Sequence, residues 1–231
     1  AVDERLTHPT LRNQISRVPY LPGLDGLRAI AVTAVLLYHA NHTWLSGGFL
    51  GVEVFFVISG YLITLLLLSE KERTGRVRLG QFWMRRARRL LPALFVMMGS
   101  LAIYMSLFNT RPMGQARGDL LAGTFYNSNW FQIWVGQGYT ASANFAPLRH
   151  LWSLAVEEQF YLALPILLAV AMWVAVRRGA DLVTVVLGVA AAAALVSLAI
   201  GLATGGERAY FGTDARALEL LLGVIAGALA H

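Results

Sequence analysis

Residues 49–68, FLGVEVFFVISGYLITLLLL, carry one charged side chain in a run of twenty. A helix of this length rises about 30 Å, which matches the hydrocarbon thickness of a bilayer. The stretch therefore predicts a membrane-spanning helix. Gly51 and Gly60 would let a second helix or a ligand approach it closely, and Glu53 is a candidate functional group because charges inside a membrane are costly.

Five further stretches have the length and apolar character of spanning helices: residues 24–42, 90–108, 151–176, 182–203 and 217–230. Pro92 would lie in the first turn of its helix, where proline is tolerated. Residues 120–135 are aromatic but contain several amide side chains, so we predict a re-entrant or interfacial segment there. The expected fold is all-α, a polytopic transmembrane helical bundle.

The composition excludes most soluble classes of protein. Of 231 residues, 57% are hydrophobic and 14% are charged, whereas a soluble domain carries about 25% charged residues. The net charge is +6, but the basic residues lie between apolar runs, which is typical of membrane topology rather than nucleic-acid binding. Without cysteine, the chain can form no disulfide, no zinc–thiolate site and no cysteinyl acyl-enzyme.

The basic residues also predict the orientation in the membrane. Residues 70–89 hold eight lysines and arginines, so this segment should be cytoplasmic. The N-terminal tail, residues 1–22, would then be cytoplasmic too, and residues 177–178 would join them if residues 109–150 stay outside. The predicted location is the inner (plasma) membrane, with several spans and a cytoplasmic N-terminus.

The first predicted span carries three groups suited to chemistry, Asp25, Arg28 and His39. Arg28 and His39 are eleven positions apart, so they share one helical face and are separated by about 16 Å. Asp25 can pair with Arg28, three residues later. A neutral imidazole buried at position 39 can take a proton from a hydroxyl. The alternative is a structural histidine bonded to a neighbouring helix.

A dense basic run precedes the third span. It consists of four arginines within five residues: Arg85, Arg86, Arg88 and Arg89. Arginines three positions apart can hold a polyphosphate from adjacent helical turns with forked donors. Anchoring on anionic lipid at the cytoplasmic surface explains the same residues.

Residues 150–161, HLWSLAVEEQFY, form the fourth cluster. On a helix, His150, Glu157 and Tyr161 fall within about 20° of one another, and Ser153 lies about 60° away. A Ser–His–Glu triad is conceivable, but a serine and a histidine one turn apart on one helix are poorly placed for it. We interpret the stripe as positioning or acid/base support.

Taken in this order, the motifs resemble the acyltransferase-3 family of bacterial membrane O-acyltransferases. The resemblance rests on LDGLRA at 24–29 with His39, GVEVFFVISGYLI at 51–63, RRARRLLPAL at 85–94, HLWSLAVEEQFY at 150–161 and GTDARALELLLG at 212–223. It implies transfer of an acyl group, commonly acetyl, from cytoplasmic acyl-CoA to a hydroxyl of an extracytoplasmic sugar, glycolipid or related metabolite. It also implies that residues 23–231 are the N-terminal part of a transmembrane domain of roughly ten helices, incomplete at the C-terminus.

The same resemblance singles out two pairs of residues, and the residue types around them suggest further roles. Arg28 and His39 match the family's essential arginine and histidine with ten residues between them, and Arg86 and Arg89 match its Arg-x-x-Arg motif. The chemistry is expected of His39, as general base or acyl carrier, with Arg28, Asp25, Glu53 and Glu157. The CoA phosphates are expected to be held by Arg85, Arg86, Arg88 and Arg89. Substrate positioning is expected of His150, Ser153 and Tyr161.

The predicted partners are acyl-CoA (acetyl-CoA) as donor, the hydroxyl acceptor and membrane lipids, with no nucleic acid and no metal. A second hypothesis is a proton-coupled transporter or glycolipid flippase in which His39, Glu53 and Glu157 relay protons. A third is a structural membrane scaffold. The dense arginine run suits an anionic nucleotide donor better than a proton path, and binding of CoA would separate the first hypothesis from the other two.

Overall fold

A computed structural model of the chain describes residues 21–108, 113–136 and 148–231. This part of the chain is helical and contains no strand, which confirms the all-α prediction. Its α-helices are α1 (Pro22–Ala40), α2 (Gly51–Thr74), α3 (Leu79–Phe108), α4 (Met113–Thr124), α5 (Ser128–Val135), α6 (Leu151–Arg178), α7 (Leu182–Thr204), α8 (Gly206–Phe211) and α9 (Thr213–Leu229). A one-turn 3-10 helix, Gly48–Leu50, leads into α2. Apart from its last two residues, the predicted N-terminal tail lies outside the described residues.

Four stretches of the described chain are long and apolar enough to cross a membrane: Gly48–Thr74, Leu79–Phe108, Leu151–Arg178 and Leu182–Thr204. They cover four of the six predicted spans. The other two predicted spans correspond to α1 and α9, which have 19 and 17 residues and are not among these four. Their crossing of a membrane stays a prediction.

The aromatic stretch at residues 120–135 forms parts of two short helices. α4 has 12 residues and α5 has 8, and the break between them includes Tyr126 with a positive φ of 52°. A spanning helix needs about 20 residues, so this stretch is not a continuous span, as predicted. Its re-entrant or interfacial position stays a prediction.

α3 begins eleven residues earlier than predicted, at Leu79 rather than at residue 90. The basic run is therefore part of the helix, and Pro92 lies in its interior instead of its first turn. Arginine is a good helix former, and Phe82, at 4% exposure, anchors this end in the core. The cytoplasmic loop predicted at residues 70–89 is accordingly reduced to residues 75–78.

The relative directions of α2 and α6 follow from their contacts. Phe56 of α2 packs on Trp152 of α6, with ring centroids 6.3 Å apart, and Ser59 of α2 bonds to Glu157 of α6. Both helices therefore run the same way. The loop after α2 and the basic residues 177–178 lie at one end of the bundle, as the predicted topology requires.

α3 runs opposite to α6 and is displaced along it. Trp83 Nε1 donates to the carbonyl oxygen of Tyr161 at 3.0 Å, and Arg86 Nη2 donates to Glu158 Oε1 at 2.6 Å. Arg177 follows Glu158 by 19 residues, or about 28 Å along the axis. Along the bundle axis, the arginines of α3 thus lie level with the middle of α2, away from the end that carries Arg177. The sequence alone predicts these arginines at the same membrane surface as Arg177. The contacts of Trp83 and Arg86 with α6 instead hold them about 28 Å from that end.

The core is built where α9 lies along α2, with α6 and α7 beside them. A Cβ on Gly60 would clash with the carbonyl oxygen of Leu220, and one on Gly223 would clash with that of Val57. The two backbones are therefore in direct contact, which confirms the close approach predicted at Gly60. α1 packs on α2 in the same way through Gly51, but it buries only Ala31 and Tyr38 among its own side chains.

Candidate active site

A partly open cavity of about 260 Å³ lies between α1, α2 and α6. Its walls are aliphatic and aromatic, and include Val32 and Val35 of α1 and Phe55 of α2. The polar side chains in its lining, Ser153 and Glu157, both come from α6. Three helices with candidate catalytic residues therefore meet around one apolar space with a carboxylate in its wall.

The Glu157 carboxylate is held by two hydroxyl groups. Ser59 and Tyr161 both donate to Glu157 Oε1. Tyr161 is one turn further along α6, so its contact with Glu157 follows from the helical spacing; the role of the stripe in positioning stays a prediction. Ser59 comes from α2 and is only 3% exposed; the sequence analysis assigned it no role. The Arg86 guanidinium stacks over the Tyr161 ring, 3.4 Å from its centroid.

Arg86 differs from the other arginines of its run. It pairs with Glu158 at 2.6 Å, and both side chains are largely buried. Arg85, Arg88 and Arg89 are exposed on the outside of α3. The four arginines therefore do not form one phosphate-binding set, because the charge of Arg86 is already compensated inside the bundle.

Glu53 belongs to a second ionic cluster, between α2 and α9. Arg216 binds Glu53 at 2.8 Å and Glu219 at 3.0 Å, and its Nε donates to the carbonyl oxygen of Tyr210 at 2.7 Å. The second carboxylate oxygens of Glu53 and Glu219 are buried, and no described residue gives them a hydrogen bond. The sequence analysis assigned no role to Arg216 or Glu219. The sequence signal for this pair is the spacing of three residues between Arg216 and Glu219, which places them on one helical face. The predicted span, residues 217–230, begins one residue after Arg216.

On α1, the predicted pair forms between Arg28 and Asp25, with 3.7 Å between Nη1 and Oδ1. Arg28, Val32, Val35 and His39 fall on one helical face, so Arg28 and His39 lie beyond opposite ends of the α1 wall of the cavity. His39 is exposed rather than buried as predicted, because the described helices bury only Ala31 and Tyr38 of α1.

The hydrogen bond of His39 defines the chemistry of its ring. Nδ1 lies 2.8 Å from the carbonyl oxygen of Val35. A carbonyl oxygen only accepts, so Nδ1 carries the proton in this geometry. In the neutral ring, Nε2 is then the basic nitrogen.

The predicted alternative of a Ser–His–Glu triad is not supported. The Ser153 hydroxyl donates to the carbonyl oxygen of His150 at 3.3 Å instead of to an imidazole. Glu157 accepts from Ser59 and Tyr161. His150 itself lies in the turn that precedes α6.

A buried amide network ties α5 to α6 and α9. Gln159 Nε2 donates to Asn129 Oδ1 at 3.0 Å, and Asn129 Nδ2 donates to Thr213 Oγ1 at 2.9 Å. Beside it, Gln132 donates to Asp119, whose pKa is raised by burial and partly lowered by this bond. Asn129 and Gln132, two of the amides that argued against a span at residues 120–135, are thus bonded inside the protein, although Gln132 Oε1 is buried without a partner among the described residues. Within the described residues, no group of three acidic or histidine side chains could hold a metal ion.

These features define a helical membrane protein with an acid–hydroxyl cluster beside an apolar cavity. The family described as the acyltransferase domain matches residues 21–231. The chain therefore belongs to the acyltransferase-3 family, which confirms the resemblance carried by its motifs.

Two relatives illustrate the match. The chain is 45% identical over 206 residues to the peptidoglycan O-acetyltransferase OatA of Listeria monocytogenes, covering 88% of this chain and 33% of that protein. It is 45% identical over 210 residues to a Staphylococcus aureus (strain COL) protein provisionally named an O-acetyltransferase, covering 90% of this chain and 35% of that protein. The chain thus spans about a third of the length of these relatives. No solved structure matches it.

Proposed function

We propose that the chain is the acyl-transferring part of a membrane O-acyltransferase. It moves an acyl group, by analogy with its relatives acetyl, from cytoplasmic acyl-CoA to a hydroxyl of an extracytoplasmic carbohydrate, glycolipid or related metabolite. The main support is the Glu157 carboxylate, fixed by Ser59 and Tyr161 in the wall of an apolar cavity. The peptidoglycan named for the Listeria relative favours a cell-envelope glycan as acceptor.

His39 is the proposed general base. The hydroxyl of the acceptor gives its proton to Nε2, while the bond from Nδ1 to Val35 holds the ring. The hydroxyl oxygen then forms a bond with the thioester carbonyl carbon, the C–S bond breaks, and the thiolate of CoA takes up the proton from the imidazolium. Glu157 orients the reacting groups from the opposite wall of the cavity.

Arg85, Arg88 and Arg89 are the proposed ligands of the CoA phosphates. They are exposed, and each presents a forked donor suited to phosphate. Along the bundle axis they lie level with Glu158 rather than at the end that carries Arg177. An unpaired charge in lipid costs about 2.5–3.5 kcal/mol on insertion scales. We therefore expect an aqueous vestibule beside α3, through which the phosphates of the donor reach these arginines.

The remaining candidate residues hold or position other groups of the proposed site. Asp25 holds Arg28 at one end of the cavity, and Arg216 holds Glu53 between α2 and α9. His150 and Ser153 lie at the start of α6, where they would position the acceptor beside Glu157. The basic segments favour an inner-membrane location with a cytoplasmic N-terminus.

The test is acetyl transfer by the intact protein in membrane vesicles given labelled acetyl-CoA on the cytoplasmic side. Replacing His39→Ala should lower labelling of glycan or lipid about 100-fold or more, the usual effect of losing a general base. His42→Ala is the matched control, because His42 lies beyond the end of α1, is exposed and packs on the Tyr38 ring. Equal labelling by the two variants would refute the role of His39. Substrate movement that needs a proton gradient but no acyl-CoA would favour a transporter.

A further inference from the structure

We propose that the cavity between α1, α2 and α6 binds the acyl end of the donor and admits acyl chains longer than acetyl. This inference rests on the proposed function and specifies the substrates of the same site. It concerns the wall formed by Val32 of α1 and Phe55 of α2, facing Glu157 of α6.

The charge of the cavity excludes the nucleotide end of the donor. Glu157 is the charged side chain in its lining, and it is negative. A carboxylate repels phosphate, and no arginine or lysine of the described chain lines the cavity. The phosphates must therefore stay outside, and the neutral end of the donor is the part that the cavity can accept.

The polarity of the cavity also argues against a sugar. A buried sugar needs a hydrogen-bond partner for each hydroxyl, because an unpaired polar group costs free energy. The lining offers two polar side chains, Ser153 and Glu157, among aliphatic and aromatic ones. An acyl chain requires no such partners and gains free energy by leaving water.

The position of the cavity joins it to the proposed donor site. Arg86 stacks on Tyr161, and Tyr161 donates to Glu157 in the cavity wall. Arg86 of α3 and the cavity wall are thus linked by two successive side-chain contacts. The cavity therefore adjoins the helix that carries the proposed phosphate ligands.

The size of the cavity indicates room beyond an acetyl group. A volume of about 260 Å³ equals the liquid volume of roughly nine waters at about 30 Å³ each. A butyryl group carries two methylene groups more than acetyl, and a cavity with free apolar room can take them up because their burial removes apolar surface from water. We therefore expect the wild-type protein to use butyryl-CoA as well as acetyl-CoA.

The experiment measures the ratio of butyryl to acetyl transfer by the intact protein in vesicles. Val32→Phe narrows the cavity and should lower this ratio about tenfold, and Phe55→Ala widens it and should raise the ratio by a similar factor. Val32 is 44% exposed at the mouth of the cavity, so a larger side chain at this position fills open space instead of straining a closely packed core. Because butyryl and acetyl transfer are measured on the same preparation of each variant, their ratio does not depend on the amount of folded protein.

Two matched controls lie on α3, away from the cavity. Val96→Phe and Phe95→Ala repeat the same side-chain changes at positions that are 69% and 52% exposed, and both should keep the wild-type ratio. An unchanged ratio in both cavity variants, or no butyryl transfer by the wild type, would overturn the inference while acetyl transfer still supports the proposed function. A wild type that transfers neither group would refute both. Loss of co-purified phospholipid in Val32→Phe with an unchanged ratio would assign the cavity to a membrane lipid instead.

Discussion

The interface between α2 and α9 and the packing of α1 are built differently. α2 buries ten of its residues and α9 buries seven, and glycines bring the two backbones into contact. α1 buries two residues, although it carries Arg28 and His39. α2 and α9 thus form a buried scaffold that holds the carboxylates, whereas α1, which carries the proposed base His39, is largely exposed.

This division has an energetic consequence. Around α9, ionic groups are removed from water, so breaking one pair leaves its partner uncompensated. On α1, the Arg28 and Asp25 side chains are 34% and 52% exposed, and exposed pairs contribute at most about 1 kcal/mol. Substitutions in the first region should therefore affect stability, and those in the second should affect chemistry.

The largest effect on stability is expected from Arg216→Met. It leaves Glu53 and Glu219 without their shared cation, which should lower the free energy of unfolding by about 3–5 kcal/mol. Arg28→Met is the matched control and should lower it by less than about 1 kcal/mol. Unfolding in detergent measures both, and equal losses would remove the distinction between the two regions.

A smaller loss is expected from Gly60→Ala at the contact of α2 with α9. The new methyl group meets the backbone of Leu220, which cannot move aside as a side chain can, so a loss of about 2–3 kcal/mol is expected. Gly99→Ala on α3 has nothing within 4 Å of the added carbon. It should be neutral or stabilising by up to about 1 kcal/mol. A stable Gly60→Ala protein would show that the two helices are not in backbone contact.

The smallest effect concerns Asp214, at the start of α9. Two hydrogen bonds from the Arg208 guanidinium, at 2.7 and 2.6 Å, lower the pKa of Asp214. A depressed folded-state pKa contributes stability above the unfolded value of about 4, and this stability is lost as the pH falls through the folded value. Asp214→Asn should therefore cost less than about 1 kcal/mol at pH 7 and nothing in strong acid.

Asp181→Asn provides the control for this pH dependence. Asp181 caps α7 by accepting from the backbone N–H of Thr184 at 2.8 Å, and asparagine caps equally well. Its stability at pH 7 should match the wild type in the same unfolding assay. A loss as large as that of Asp214→Asn would indicate a general effect of removing a carboxylate.

The fold was predictable where one physical signal dominates. Long apolar runs identified the regions of α2, α6 and α7, because the bilayer sets their length. The start of α3 was not predictable in this way, since Phe82 and Trp83 make the basic run continue as a helix through contacts with other helices. Apolarity alone locates the middle of a span but not its ends.

In the candidate site, too, local contacts could be predicted from the sequence and contacts between distant residues could not. The contact of Glu157 with Tyr161 is local, at four residues, and helix periodicity predicts it. The bonds from Ser59 to Glu157 and from Arg216 to Glu53 join residues 98 and 163 positions apart. Periodicity within one helix carries no information about such pairs, so the sequence indicated the acidic groups but not the partners that hold them.

The central claim is that the Glu157 carboxylate acts in acyl transfer at the cavity. The most direct measurement is labelled acetyl transfer by Glu157→Gln, whose amide oxygen can still accept from Ser59 and Tyr161. We expect transfer to fall about 100-fold with an unchanged unfolding midpoint, while Glu72→Gln, at the far end of α2, keeps full activity. Wild-type transfer by Glu157→Gln would contradict the account.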